Sequence, residues 1–136
     1  MPIFVLEKIK TVSGKKVFYQ LKRDDCKVLE EFEEDLRGTQ YLSEFKTILA
    51  YMDYFAKGGQ LPKTKLNWLP ATDTIKEFEF KSDHLRVYGI IDPEGHIIIL
   101  CGYKNAQKKY INQFRATKKL FLTAKYRDYG KGRTDQ

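Results

Sequence analysis

Seven consecutive residues, Ile97–Tyr103 (IIILCGY), constrain this chain more than any other stretch. A short, nearly unbroken apolar run is expected of a strand at the centre of a sheet, buried on both faces. Asp92-Pro93-Glu94-Gly95 precedes it, with proline second and glycine fourth, a strong turn signal. Leu85–Asp92 therefore reads as the preceding antiparallel strand. Ile75–Phe80 reads as the one before that, with Ile75, Glu77 and Glu79 on one side and Lys76, Phe78 and Phe80 on the other.

The rest of the chain reads as cover for these strands. Residues 2–9 and Lys16–Lys22 are rich in β-branched and aromatic residues around a Gly14 turn, as in a hairpin or bent edge pair. Asp24-Asp25 predicts a helix start, followed by Val28, Leu29, Phe32 and Leu36 at helical spacing and by Gly38 as its stop. On the opposite face Glu30, Glu31, Glu33, Glu34 and Asp35 form a solvated acidic run. Thr39 predicts the cap of a second helix to about Lys57, with the stripe Leu42, Phe45, Ile48, Leu49, Met52 and Phe55, ended by Gly58-Gly59. The short connection makes the two an antiparallel helical hairpin whose apolar face needs the strands. Leu61–Ala71, with Pro62 and Pro70, reads as loop, and Trp68 as packing over the sheet edge. Lys104 to about Tyr126 reads as a C-terminal helix. One domain is expected over 1–126, with a flexible basic tail over 127–136.

Charge is unevenly placed. From Cys101 onward ten basic residues face two acidic ones, a net +8, so the first hundred residues sum to −1 of the chain's +7. Such a concentration points to a polyanionic partner. No apolar run reaches the roughly 20 residues that span a bilayer. The N-terminal MPIFVLEKIK is too short and too quickly charged for a secretory signal. A cytoplasmic protein with no membrane association is the expectation. Cys26 and Cys101 form no metal-binding pair, and His84 and His96 read as surface residues beside turns rather than ligands. No metal or cofactor is expected.

Nucleophile, zinc and phosphate-loop motifs are missing. What remains is a set of cations. Arg86 lies in the middle of the three strands, Lys104 leaves the last, and Lys108, Lys109 and Tyr110 follow. Antiparallel neighbours bring distant residues within about 5 Å, so Arg86 and Lys104 can meet at one phosphate. Arginine and lysine stabilise the charge of a phosphodiester transition state without metal, and a proton donor and acceptor complete the chemistry. A plain anion-binding surface fits the same residues.

The succession of Lys76-Glu77-Phe78, Leu85-Arg86-Val87-Tyr88 and Gly102-Tyr103-Lys104-Asn105 resembles the RelE/HigB superfamily of toxins from type II toxin–antitoxin systems, in its phage-derived HigB-like branch. The resemblance runs from about Phe4 to Leu122. It departs at Asn105, where a second lysine is common, and at Phe78-Glu79, where an arginine is. It implies an α+β, RelE/ParE-like fold: a small, mostly antiparallel sheet with an N-terminal helical hairpin packed on it and a C-terminal helix. It also implies a ribosome-dependent mRNA endoribonuclease with a metal-free basic active site. Arg86, Lys104 and Tyr110 fall on its catalytic positions. Lys108 and Lys109 would be further phosphate contacts, and Arg115, Lys118 and Lys119 would bind RNA from the helix. The implied partners are a cognate antitoxin of helix-turn-helix type, the ribosome and mRNA. The alternatives are a non-catalytic or ParE-like member that binds gyrase or an antitoxin, and a basic RNA-binding domain.

Overall fold

The computed structural model describes residues 2–70 and 73–134, with side chains described to residue 125. The elements are β1 (Phe4–Lys8), β2 (Phe18–Arg23), β3 (Cys26–Lys27), α1 (Val28–Leu36), α2 (Leu42–Ala56), β4 (Leu66–Leu69), β5 (Glu77–Lys81), β6 (Leu85–Asp92) and β7 (Gly95–Tyr103). A 3-10 turn, Lys104–Ala106, leads into α3 (Gln107–Thr134). The chain is α+β. Its seven-stranded sheet runs β1-β2-β7-β6-β5-β4, with β3 also paired to β2. Pairing is antiparallel except where β2 meets β7.

The central place of β7 explains its apolar run. Ile98 and Cys101 enter the core shared with α1 and α2, alongside Phe18, Phe78, Phe80, Leu85 and Val87. Ile97 and Ile99 enter a second core under α3, with Leu21, Tyr88, Ile90, Phe114 and Phe121. A strand with helices over both faces has no side on which polar residues can alternate. Between Tyr88 and Gly89 the β6–β7 register slips, pairing Tyr88 with Leu100 and Gly89 with Ile98. Ile99 is the extra residue of this bulge, which bends the ladder.

Four local expectations change. Asp24-Asp25 do not start a helix. Asp24 takes the left-handed conformation (φ 54°) in the tight turn from β2 to β3, and its carboxylate accepts the Ile3 amide at 3.0 Å. Helix α1 starts later, and the side-chain oxygen of buried Gln20 accepts the Leu29 amide at 3.0 Å, serving as a cap from a neighbouring strand. Thr39 lies ahead of α2 and ties the helix connection by donating to the Leu36 carbonyl at 2.6 Å. Leu66–Leu69, expected as loop, is the edge strand β4, where flanking prolines are tolerated. Trp68 on it meets the Phe78 ring edge-on at 5.9 Å. Helix α3 continues to Thr134, across most of the expected tail; positions 135 and 136 lie outside the described residues.

Candidate active site

Three elements meet at one corner of the sheet: the start of β6, the end of β7 and the first turns of α3. Register sets Arg86 opposite Gly102. The Tyr110 ring lies against Gly102, where an added Cβ would collide with it. The Lys104 amide donates to the His84 carbonyl at 2.9 Å. Arg86, Tyr110 and the backbone of Lys104 are thus brought to one neighbourhood, and glycine at 102 is what lets helix and sheet close there.

Arg86 does not present its charge outward. It is 5% exposed, and its Nη1 donates to the carbonyls of Ser82 at 2.6 Å and Leu85 at 2.8 Å. The guanidinium braces the β5–β6 turn from within. Tyr110 is half-buried, with its ring 6.5 Å from Tyr103. Beside them Glu79 accepts from Asn67 at 3.1 Å and weakly from Gln107 at 3.4 Å. The Tyr88 phenol next to it is pushed upward in pKa by burial and then by the Glu79 charge, and so stays protonated.

The described cations of the 3-10 turn and α3 divide into two groups. Lys104, Lys108, Lys109 and Lys119 are exposed. Arg115 instead bonds Glu77 through Nε at 3.1 Å and Nη2 at 3.0 Å. Lys118 is 3% exposed and reaches Glu77 at 3.0 Å and Asp73 at 2.9 Å. The bond to Asp73 is the main reason that carboxyl sits below its ordinary pKa. Lys125 pairs with Asp92 and Glu94. Arg115 and Lys118, both expected as RNA contacts, are thus engaged by acids of β5 and of the loop before it, and Lys118 is buried there. The reason is the alternation of β5: one face carries Phe78 and Phe80, and the other turns Glu77 and Glu79 beneath α3.

The same corner holds a group that no motif marks. In the β5–β6 turn, His84 Nδ1 lies 2.7 Å from Glu44 Oε2 of α2. The other Glu44 oxygen accepts Ser82 Oγ at 2.6 Å and the His84 amide at 2.9 Å. Partial burial opposes the Glu44 charge, but the bonds from Ser82 and His84 outweigh it and hold its pKa below the ordinary value. The His84 side chain is 57% exposed and its ring is 5.1 Å from Tyr41. It opens on a cleft of about 270 Å³ lined by Tyr41, Asp83, His84, Tyr103, Lys104 and Asn105. Burial raises the Tyr103 phenol, with Tyr110 adding to it.

In the sequence, the one available signal for this group is the scarcity of histidine, with two in the chain. The other, His96, is partly buried: it stacks on Phe18 at 4.7 Å, and burial lowers its pKa. Among the described residues no cluster of three or more His, Cys, Asp or Glu side chains is arranged to hold a metal ion, and no helix is long and apolar enough to cross a membrane.

No family model matches the chain, and no characterised protein or solved structure is significantly similar to it.

Proposed function

We propose that this chain is a RelE/HigB-like toxin of a type II toxin–antitoxin system, an endoribonuclease that cuts mRNA on the translating ribosome in the cytoplasm. In this reading α1 and α2 are the helical hairpin of a RelE/ParE-like fold, and a helix-turn-helix antitoxin neutralises the protein. The observation that carries the reading is convergence. Three separate segments of the resemblance, around Arg86, around Gly102 to Lys104, and at Tyr110, meet at one corner. Exposed Lys104, Lys108 and Lys109 flank that corner and supply positive charge for a phosphate backbone. Arg86 acts there chiefly by bracing the turn, and Lys104 is the cation available to the scissile phosphate.

The burial of Arg86 favours a second reading, an RNA- or protein-binding member without cleavage. Induced expression without an antitoxin separates the two. The toxin reading expects growth arrest, loss of translation and mRNA ends that map within translated codons. Unimpeded growth with soluble protein accumulating overturns it. A DNA-damage response in place of mRNA cutting points to a gyrase-directed member.

A further inference from the structure

We propose that His84, oriented by Glu44, is the general base of this site, and that Lys104 holds the phosphate beside it. The inference rests on the ribonuclease reading and supplies what Arg86, Lys104 and Tyr110 do not: a proton acceptor that faces the cleft.

The geometry is directional. Glu44 is tied down by Ser82 and by the His84 amide, so its second oxygen is fixed beneath the imidazole at 2.7 Å. An ionised carboxylate accepts hydrogen bonds only, so Nδ1 must carry the proton. The lone pair of a neutral imidazole is then on Nε2, the nitrogen away from Glu44. Nε2 has no hydrogen-bond partner among the described residues. The turn that carries it is held from three sides: Glu44, Arg86 Nη1 on the Ser82 carbonyl, and the Lys104 amide on the His84 carbonyl. Site groups held this firmly avoid reorganisation during reaction.

The cleft suits single-stranded RNA. Tyr41 and Tyr103 supply faces on which an unpaired base can stack. Lys104 supplies positive charge, and Asp83 is the one carboxylate of the lining. In the proposed step, His84 Nε2 takes the proton of the 2′-hydroxyl and the 2′-oxygen forms a bond to phosphorus. The bond from phosphorus to the 5′-oxygen breaks, and the leaving oxygen takes a proton from water. The imidazolium returns its proton to the hydroxide so formed. The products are a 2′,3′-cyclic phosphate and a 5′-hydroxyl end, with no net gain or loss of protons. Glu44 is a positioning residue: it fixes the tautomer and offsets the imidazolium charge without touching RNA.

The test uses the full chain in a translating extract with a reporter mRNA, and reads cleavage rates and end chemistry. His84→Ala is expected to lose at least about 100-fold, the usual worth of a general base. Added imidazole is expected to restore part of that loss, and thermal melting to be near wild type. Nitrogen NMR at alkaline pH is expected to show His84 protonated on Nδ1, with the other tautomer gaining population in Glu44→Gln. If wild type cuts and His84→Ala cuts equally well, the inference falls while the ribonuclease reading stands. Loss without imidazole rescue, together with a lowered melting temperature, makes His84 structural and also overturns it. If wild type cuts no mRNA, the ribonuclease reading fails and takes this inference with it.

Discussion

Glu44 in α2 and His84 in the β5–β6 turn meet at 2.7 Å across a sequence separation of 40. This pairing joins the helices on one face of the sheet to the corner where β6, β7 and α3 converge. Its consequences for stability can be measured apart from any activity.

Glu44→Gln is expected to destabilise the fold by roughly 1–2 kcal/mol. It weakens three hydrogen bonds, one of them to a mostly exposed histidine that solvent screens. The folded-state pKa of Glu44 is depressed, so its ionised form contributes stability above the ordinary carboxylate pKa. That contribution is lost as pH falls through the lower, folded-state pKa. Urea denaturation across an acidic pH series should show the gap between wild type and Glu44→Gln closing as pH falls. A gap that widens on acidification would contradict the assignment.

Glu77 is 2% exposed and is shared by Arg115 and Lys118. Glu77→Ala leaves Lys118 buried against a missing charge and should cost about 3–5 kcal/mol. The pair Glu77→Leu with Lys118→Met should recover much of this, because the two charges that then lose a partner, Arg115 and Asp73, are partly exposed and not buried. Chemical denaturation of the single and double variants checks both. Equal instability of the two would mean that the cost lies in packing.

Gly102→Ala places a Cβ against the Tyr110 ring. Because the strand backbone fixes one side of this close approach, the expected cost is about 1–3 kcal/mol. Combining it with Tyr110→Ala should be markedly less than additive, since the second change removes the obstacle. Strict additivity in melting experiments would show that ring and glycine are not coupled.

Lys108→Ala and Lys109→Ala should each weaken RNA binding and lower the salt dependence. On a single strand the slope is expected to fall by about 0.7 for each phosphate that is no longer neutralised. Lys118→Ala should act through stability, because its ammonium is occupied by Glu77 and Asp73. Filter binding of single-stranded RNA over a salt series, with melting curves alongside, separates the effects. An undiminished slope in both exposed-lysine variants would remove them from the RNA-binding surface.

Much of the architecture was legible because it rests on local pattern. Periodicity located α2 and its glycine stop, the β6–β7 hairpin followed from its Pro-Gly turn, and the unbroken apolar run marked β7 as central. What stayed hidden was each feature whose partner lies far away in sequence. Gln20 reaching the Leu29 amide displaced the expected cap. Strand β4 has too few residues to show a period and exists because β5 offers it an edge. The basic helix looked like a free cationic surface, since nothing in its own residues tells that Glu77 and Asp73 lie beneath it.

For the candidate site, residue types and spacing pointed to segments that the fold does bring together, and to lysines that it leaves exposed. They did not assign the roles of individual side chains. Arg86 is an inward brace because the β5–β6 turn beside it presents the carbonyls of Ser82 and Leu85. His84 is oriented because α2 brings a carboxylate that no local pattern announces. Periodicity determines which face of an element is apolar, since that depends on neighbours a few residues away. Tertiary packing decides which charges are paired, because a carboxylate or carbonyl brought up from across the fold sets the free energy of a cation far more than its place in the chain.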